Sequence, residues 1–227
     1  MLRVCSGLFT LPAIVCAATL GALALPGSAA AQGGPPREPI GRFAADVRVA
    51  LPRYPDDPAT AEVLGVEDDN LPSRGLGLAV GVNVYPVRMG RVSLGVGGEW
   101  LVFSDGSKSL DPATEGGPPS PVVNTRFSAL SPQVSLNFGS RDGWSYLSGG
   151  LGWASFTTEL ETRPVADADG RTRMLNYGGG ARWFAKPHLA FAFDLRFYRI
   201  DPQDATTGRP AYGGRRMMVF SAGVSVK

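Results

Sequence analysis

The sequence predicts an all-β protein, an eight-stranded antiparallel up-and-down barrel that crosses a membrane with its strands. Three observations carry that expectation. Apolar and polar residues alternate with period two over run after run, the spacing of a strand with one greasy face. In residues 189–198, Leu189, Phe191, Phe193, Leu195 and Phe197 share one face, and Ala190, Ala192, Asp194, Arg196 and Tyr198 share the other. The connections between such runs alternate long and short. Finally, the faces opposite the apolar ones carry Gly, Ser, Ala and Asn with isolated charges, a composition suited to a narrow interior.

The first 31 residues form a separate unit. Arg3 supplies a positive n-region, an apolar stretch runs from Leu8 to Leu25, and Ala29, Ala30 and Ala31 precede Gln32 as a small-residue cleavage site. This is the pattern of a secretory signal peptide. Pro12 and Pro26 count against a retained membrane helix, and Val15 before Cys16 counts against a lipoprotein acceptor. Both cysteines, Cys5 and Cys16, leave with the signal, so an exported chain without disulfides needs another source of stability, which a closed hydrogen-bonded barrel supplies. The formal charge of +2 falls to +1 without Arg3. That near-neutral balance, with no continuous basic patch, argues against a nucleic-acid partner. No later apolar run approaches the roughly 18 residues that a membrane helix needs.

Residues 32–40, with Pro35, Pro36 and Pro39, read as a flexible lead-in, and residues 41–227 as the barrel. The first strand puts Phe43, Ala45, Val47, Val49 and Leu51 on one face and Asp46 and Arg48 on the other. A long loop at 52–73 follows. In the second, Leu76, Leu78, Val80, Val82 and Val84 oppose Gly77, Ala79, Gly81, Asn83 and Tyr85. A tight turn at Arg88, Met89 and Gly90 leads to the third, where Val92, Leu94, Val96, Trp100 and Val102 oppose Ser93, Gly95, Gly97 and Glu99. After a second long loop at 104–122, the fourth strand keeps Val134, Leu136 and Phe138 in phase while Phe127 and Ala129 take the other parity. A bulge near Pro132 would re-phase it.

A short turn at 139–143 opens the fifth strand, with Leu147, Leu151 and Trp153 against Tyr146, Ser148, Gly150, Gly152 and Ala154. The third long loop covers 162–171. The sixth and seventh strands make a hairpin across Ala185, Lys186, Pro187 and His188, with Tyr177, Ala181 and Trp183 opposing Asn176, Gly178, Gly180 and Arg182. After a fourth long loop at 201–214, the last strand shows Met218, Phe220, Ala222, Val224 and Val226 on its apolar side. Three short turns and four long loops place both termini and the short turns at one end, expected to face the periplasm.

Alternation alone does not say whether the apolar face points out or in, and a lipocalin-like soluble barrel has the reverse polarity. A soluble exterior normally carries many Lys and Glu. Here the lysines are Lys108, Lys186 and Lys227, all in loops, turns or at the terminus. The glycines, moreover, make room inside a narrow cylinder for a few long charged groups. Lipid outside is therefore expected. Tyr85, Trp100, Trp144 and Trp183, near strand ends, are expected in the two interfacial girdles.

On this layout, and on the local runs LSPQVSLNFG, WSYLSGGLGWASF and NYGGGARWF with FDLRFYRI, the chain resembles the small outer-membrane β-barrel proteins of the OmpA-transmembrane/OmpX type over about Gly41 to Lys227. The resemblance implies a cell outer-membrane location, a non-enzymatic role in envelope integrity or adhesion, and outer-membrane lipid and the barrel assembly machinery as partners. A monomer, no cofactor, and surface ligands reached through the long loops are also expected. One departure counts: members of that group usually end on an aromatic residue read by the assembly machinery, whereas this chain ends Val226-Lys227.

Glu99, Arg182, Asp194 and Arg196 all fall on the inward track, with Asp46 and Arg48 as candidate neighbours. Buried charges must be paired to be tolerated, so these residues are expected to form an ion-pair network that plugs the lumen. The functional alternative is a gate whose pairs exchange to open a narrow channel for small solutes. A secreted lipocalin-like barrel binding an apolar ligand is the second alternative. His188, the single histidine, falls in a short turn away from any serine at the outer leaflet, which speaks against a membrane-embedded hydrolase. No His/Cys cluster is present for zinc. The acidic first loop, with Asp56, Asp57, Glu62, Glu67, Asp68 and Asp69, and the fragment Asp167 to Gly170 lack EF-hand spacing and read as solvated. Gly178 to Gly180 lie inside a strand and match no nucleotide loop.

Overall fold

The computed structural model describes residues 39–54, 61–62, 71–104, 108–109, 122–160, 170–205, 211 and 213–227. The expected signal peptide, most of the expected lead-in and much of the long loops, including the acidic clusters at 56–57, 67–69 and 167–169, lie outside the described residues. Eight long strands follow one another: β1 Phe43–Arg53, β2 Leu76–Met89, β3 Val92–Ser104, β4 Val122–Ser140, β5 Gly143–Leu160, β6 Thr172–Lys186, β7 Leu189–Ile200 and β8 Arg215–Val226. A two-residue ladder at Lys108–Ser109 adds to the end of β4. Each strand pairs antiparallel with its neighbours in sequence, and β1 pairs with β8 through contacts such as Val47 opposite Val224. The cylinder is closed.

Closure is what lets such a chain sit in hydrocarbon, because every ladder group finds its partner within the wall and no edge is left. Where the side chains go follows from the pleat. In β7 burial alternates at each residue, with Phe191 58% and Phe193 38% exposed while Asp194 and Arg196 are buried. Phe43, Val49, Leu78, Val134, Leu147, Leu151 and Phe220 stand exposed on the same outer surface. A lipocalin-like barrel would hold Phe191 and Phe193 in its hollow. The outer wall is instead a continuous apolar band, the surface of a transmembrane barrel. No helix among the described residues is long and apolar enough to cross a membrane.

Three short turns gather at one end, at Gly90 with Arg91, Arg141 with Asp142, and Pro187 with His188. Gly90 adopts a φ of 61°, which a residue without a Cβ takes at no steric cost, and its two-residue turn matches the strand twist.

The structure departs from two sequence expectations. The register shifts at Pro86, and again between Phe184 and Lys186, but not at Pro132. Val84 faces Val96 while Val87 faces Leu94, so Tyr85 and Pro86 together oppose Gly95. A bulged position suits a residue that cannot donate to the ladder, and Gly95 leaves space where a Cβ would stand 2.9 Å from the Tyr85 ring. β4, by contrast, alternates through Pro132 without a change of phase, and its pairing with β3 is unbroken. Phe127 and Ala129 simply point inward. Inward is not everywhere polar: the interior is layered, and the layer at the long-loop end is apolar. There Phe127 stacks on Phe103 with ring centroids 4.5 Å apart, and Tyr54, Met174, Ile200 and Met217 complete the packing.

The second correction concerns the aromatic girdle. Trp100 and Trp183 do lie on the outside, at 47% and 58% exposed, but Tyr85 and Trp144 are 2% exposed and packed within the lumen at the short-turn end. They meet edge to face at 5.9 Å, and Trp144 stacks on Phe184 at 5.0 Å. An end of the cylinder that carries small residues on neighbouring strands needs volume, and large rings supply it.

Leu195, mid-strand in β7 between Gly179 and Phe220, tests the outward assignment. Leu195→Arg is expected to destabilise the barrel by about 2–4 kcal/mol in lipid vesicles, the range for a cation on the lipid face near the midplane. Denaturant titration of the vesicle-inserted protein measures it. No loss of stability would place this face elsewhere.

Candidate functional site

Between the two apolar layers, the inward track carries charge. Asp46 and Arg48 come from β1, Glu99 from β3, Arg182 from β6, and Asp194 and Arg196 from β7, and each is at most 5% exposed. Their presence on one track follows from residue parity, since each stands an odd number of places from an outward Val, Leu or Phe of its own strand. Three guanidinium groups therefore share a dry compartment with three carboxylates, and the set is formally neutral.

The pairing is specific. Arg182 grips Asp46 with two donors, Nε to Oδ1 at 2.9 Å and Nη2 to Oδ2, the fork geometry a guanidinium is built for. Arg48 pairs through Nη2 with Glu99 Oε2 and through Nη1 with Asp194 Oδ2 at 3.3 Å. Arg196 donates from Nε to Asp194 Oδ1 at 3.1 Å and from Nη2 to Asp194 Oδ2 at 3.0 Å, and its Nε lies 3.4 Å from Glu99 Oε1. Its remaining donors reach Asn176 Oδ1 and Ser148 Oγ, both at 2.9 Å.

Two tyrosines close the set. Tyr146 donates its hydroxyl to Asp194 Oδ2 at 2.7 Å, and Tyr198 donates to Glu99 Oε1 at 2.8 Å. The Arg182 guanidinium also lies 4.4 Å from the Tyr146 ring centroid. Gly180 makes this possible: a Cβ there would stand 2.6 Å from the Tyr146 hydroxyl. Below the charges, Asn176 bonds Ser131 at 2.7 Å and Gln133 bonds the same hydroxyl at 3.3 Å.

Of the four residues expected from sequence, Glu99, Asp194 and Arg196 come directly together. Arg182 joins them only through Tyr146 and takes Asp46 as its own partner. Asp46 and Arg48, named as candidate neighbours, are full members. Tyr146, Tyr198 and Asn176 went unassigned, although their inward parity was the available signal. His188 sits exposed in its turn with Nδ1 3.1 Å from the Lys227 carbonyl oxygen.

What this arrangement can do is narrow. All six carboxylate oxygens already accept from a guanidinium or a phenol, so none is left to act as a base or to hold a ligand. The space left beside Asp46, Glu99, Tyr146 and Arg196 is about 10 Å³, no more than a single water occupies. Removing water from six charges costs several kcal/mol per ion, which the mutual pairing offsets only while every partner is present.

Asp194→Ala leaves Arg48 and Arg196 short of a carboxylate and is expected to cost about 3–5 kcal/mol in the vesicle titration. Gly180→Ala, which drives a methyl against both the Phe193 backbone carbonyl and the Tyr146 hydroxyl, is expected to cost about 1–3 kcal/mol by the same measurement. Wild-type stability in both variants would mean that the charges are wetted rather than packed.

No protein-family model matches the chain, and no curated protein matches it in sequence. Its similarity to known proteins lies in solved structures. Neisserial surface protein A superposes with a TM-score of 0.50 at 11% identity, over 82% of this chain and 97% of that one. The outer membrane protein OprG from Pseudomonas aeruginosa gives 0.46 at 11% identity, over 84% and 97%. The outer membrane protease OmpT from Escherichia coli gives 0.42 at 9% identity, over 81% and 96%. With its closed eight-strand order and apolar exterior, the chain has the fold of the small outer-membrane β-barrel proteins.

Proposed function

We propose that the protein is a structural or surface-interaction element of the cell outer membrane, a monomeric barrel with a plugged lumen. One observation carries the reading: every oxygen of the three buried carboxylates accepts from a guanidinium or a phenol, and about 10 Å³ is left beside them. The apolar layers on either side, around Phe127 at one end and Trp144 at the other, support it. On this reading the wall and plug are scaffold, and binding belongs to the four long connections, where contacts are reached from outside and variation is tolerated. Residues 1–31 direct export and are removed. Lipid of the outer membrane and the assembly machinery are the partners this role requires.

The same features support a role without catalysis. The buried acids are saturated, and His188 stands at the short-turn end beside the Lys227 carbonyl. Conductance of the purified protein in planar bilayers tests the plug. Silence, or rare unstable events, is expected across a range of voltages. Frequent openings of constant size would replace the plug by a channel whose ion pairs exchange.

A further inference from the structure

The outer wall carries a second charged feature, distinct from the lumen. At the long-loop end, Arg53, Arg74, Arg173, Arg199 and Arg216 are all exposed. Arg53, Arg173, Arg199 and Arg216 extend the outward tracks of β1, β6, β7 and β8, in line with Leu51, Leu175, Phe197 and Met218, while Arg74 stands two residues before Leu76 of β2. They are not scattered. Arg53 lies directly across from Arg74, and Arg199 directly across from Arg216. Arg53 is also opposite Met218, two residues from Arg216, and Arg199 is opposite Leu175, two residues from Arg173. The result is a belt over five adjacent strands, immediately beyond the apolar band.

Like charges directly opposite on a sheet are destabilising. None of these five arginines makes an ion pair with a described residue; Asp201, two places beyond Arg199, meets Arg173 only through the backbone, its N–H donating to the Arg173 carbonyl oxygen at 3.0 Å. The apolar wall continues up to the belt: Leu175, Tyr177, Phe197 and Met218 line an open groove of about 360 Å³ that ends at Arg199 and Arg216. A neighbouring groove of about 450 Å³ runs past Leu151, Trp153 and Leu175 to Arg173 and Arg199. A guanidinium pair at the head of a greasy groove matches one kind of molecule, a lipid with a phosphate head and acyl chains.

We infer that this face binds phosphate-bearing lipid of the leaflet at the long-loop end. The phosphate bridges Arg199 and Arg216, with Arg173 beside it and the Arg53–Arg74 pair offering a second such seat. The acyl chains lie along Phe197, Tyr177 and Leu175. Guanidinium groups bind phosphate through paired donors and are readily desolvated, which suits the headgroup boundary. The inference rests on the transmembrane reading, and its test keeps the two apart.

The protein is inserted into phosphatidylcholine vesicles holding a minor fraction of phosphatidic acid, and insertion is confirmed by heat-modifiable migration. The lipid that stays with the barrel after mild detergent extraction is then quantified. Failure to insert overturns the transmembrane reading and the inference with it. Given insertion, phosphatidic acid is expected to be enriched about tenfold in the retained lipid, the equivalent of one good charge-assisted contact. The Arg199→Gln, Arg216→Gln double variant is expected to lose most of that enrichment and to be at least as stable as wild type in pure phosphatidylcholine, because a repulsion has been removed. Equal retention of both lipids overturns the inference. So does displacement of the bound lipid by inorganic phosphate, which would mark a site for free anions. A double variant less stable than wild type in phosphatidylcholine would assign the arginines to carboxylates of the chain itself and overturn it as well.

Discussion

The structure depends on the narrowness of a cylinder closed by eight strands. Such a wall leaves an interior that side chains must fill, and whatever they leave unpaired there has no water to turn to. That requirement explains why Asp46, Arg48, Glu99, Arg182, Asp194 and Arg196 balance as a set, with Arg48, Glu99, Asp194 and Arg196 linked directly and the Asp46–Arg182 pair beside them. It explains the tyrosines too: once three guanidinium groups are placed, Glu99 and Asp194 still have oxygen lone pairs to satisfy, and Tyr198 and Tyr146 supply the missing donors. The glycines follow from the same limit, since Tyr146 reaches Asp194 only because Gly180 yields the volume of a methyl.

Much of this was legible in the chain because strand parity is strict. The sides of Phe191 and Asp194 are decided by one residue of phase, and the phase is written in β7 without interruption. The eight strands, the alternation of short and long connections, and the inward position of Glu99, Arg182, Asp194 and Arg196 all rest on that. What parity does not carry is who meets whom across the hollow. Arg182 and Asp46 are 136 residues apart, and their pairing depends on the stagger of the strands round the barrel, which a local pattern does not encode.

The two misplacements have a shared cause. A uniformly polar interior would put Phe127 out of phase and Trp144 and Tyr85 at the membrane boundary. The interior is polar only across its middle, where the charges compensate each other. Towards either end the pleat still alternates, but the inward residues are apolar: Phe103, Phe127 and Met217 at one end, Ile40, Tyr85 and Trp144 at the other. An aromatic near a strand end thus has two homes in such a barrel, and only its parity distinguishes them. Trp183 and Trp144 differ in that alone.

The pairing of β1 with β8 joins the two extremes of the barrel sequence, and the lumen charges straddle that seam. Asp46 and Arg48 stand on β1, while the groups they bind, Arg182 and Asp194, stand on β6 and β7. Until the ends of the sheet meet, these four cannot all be in place, so the attraction between them comes only with closure. Contacts that form late slow the reverse reaction more than they speed the forward one. The network is in this sense a latch, whose contribution is chiefly to how long the sealed form persists.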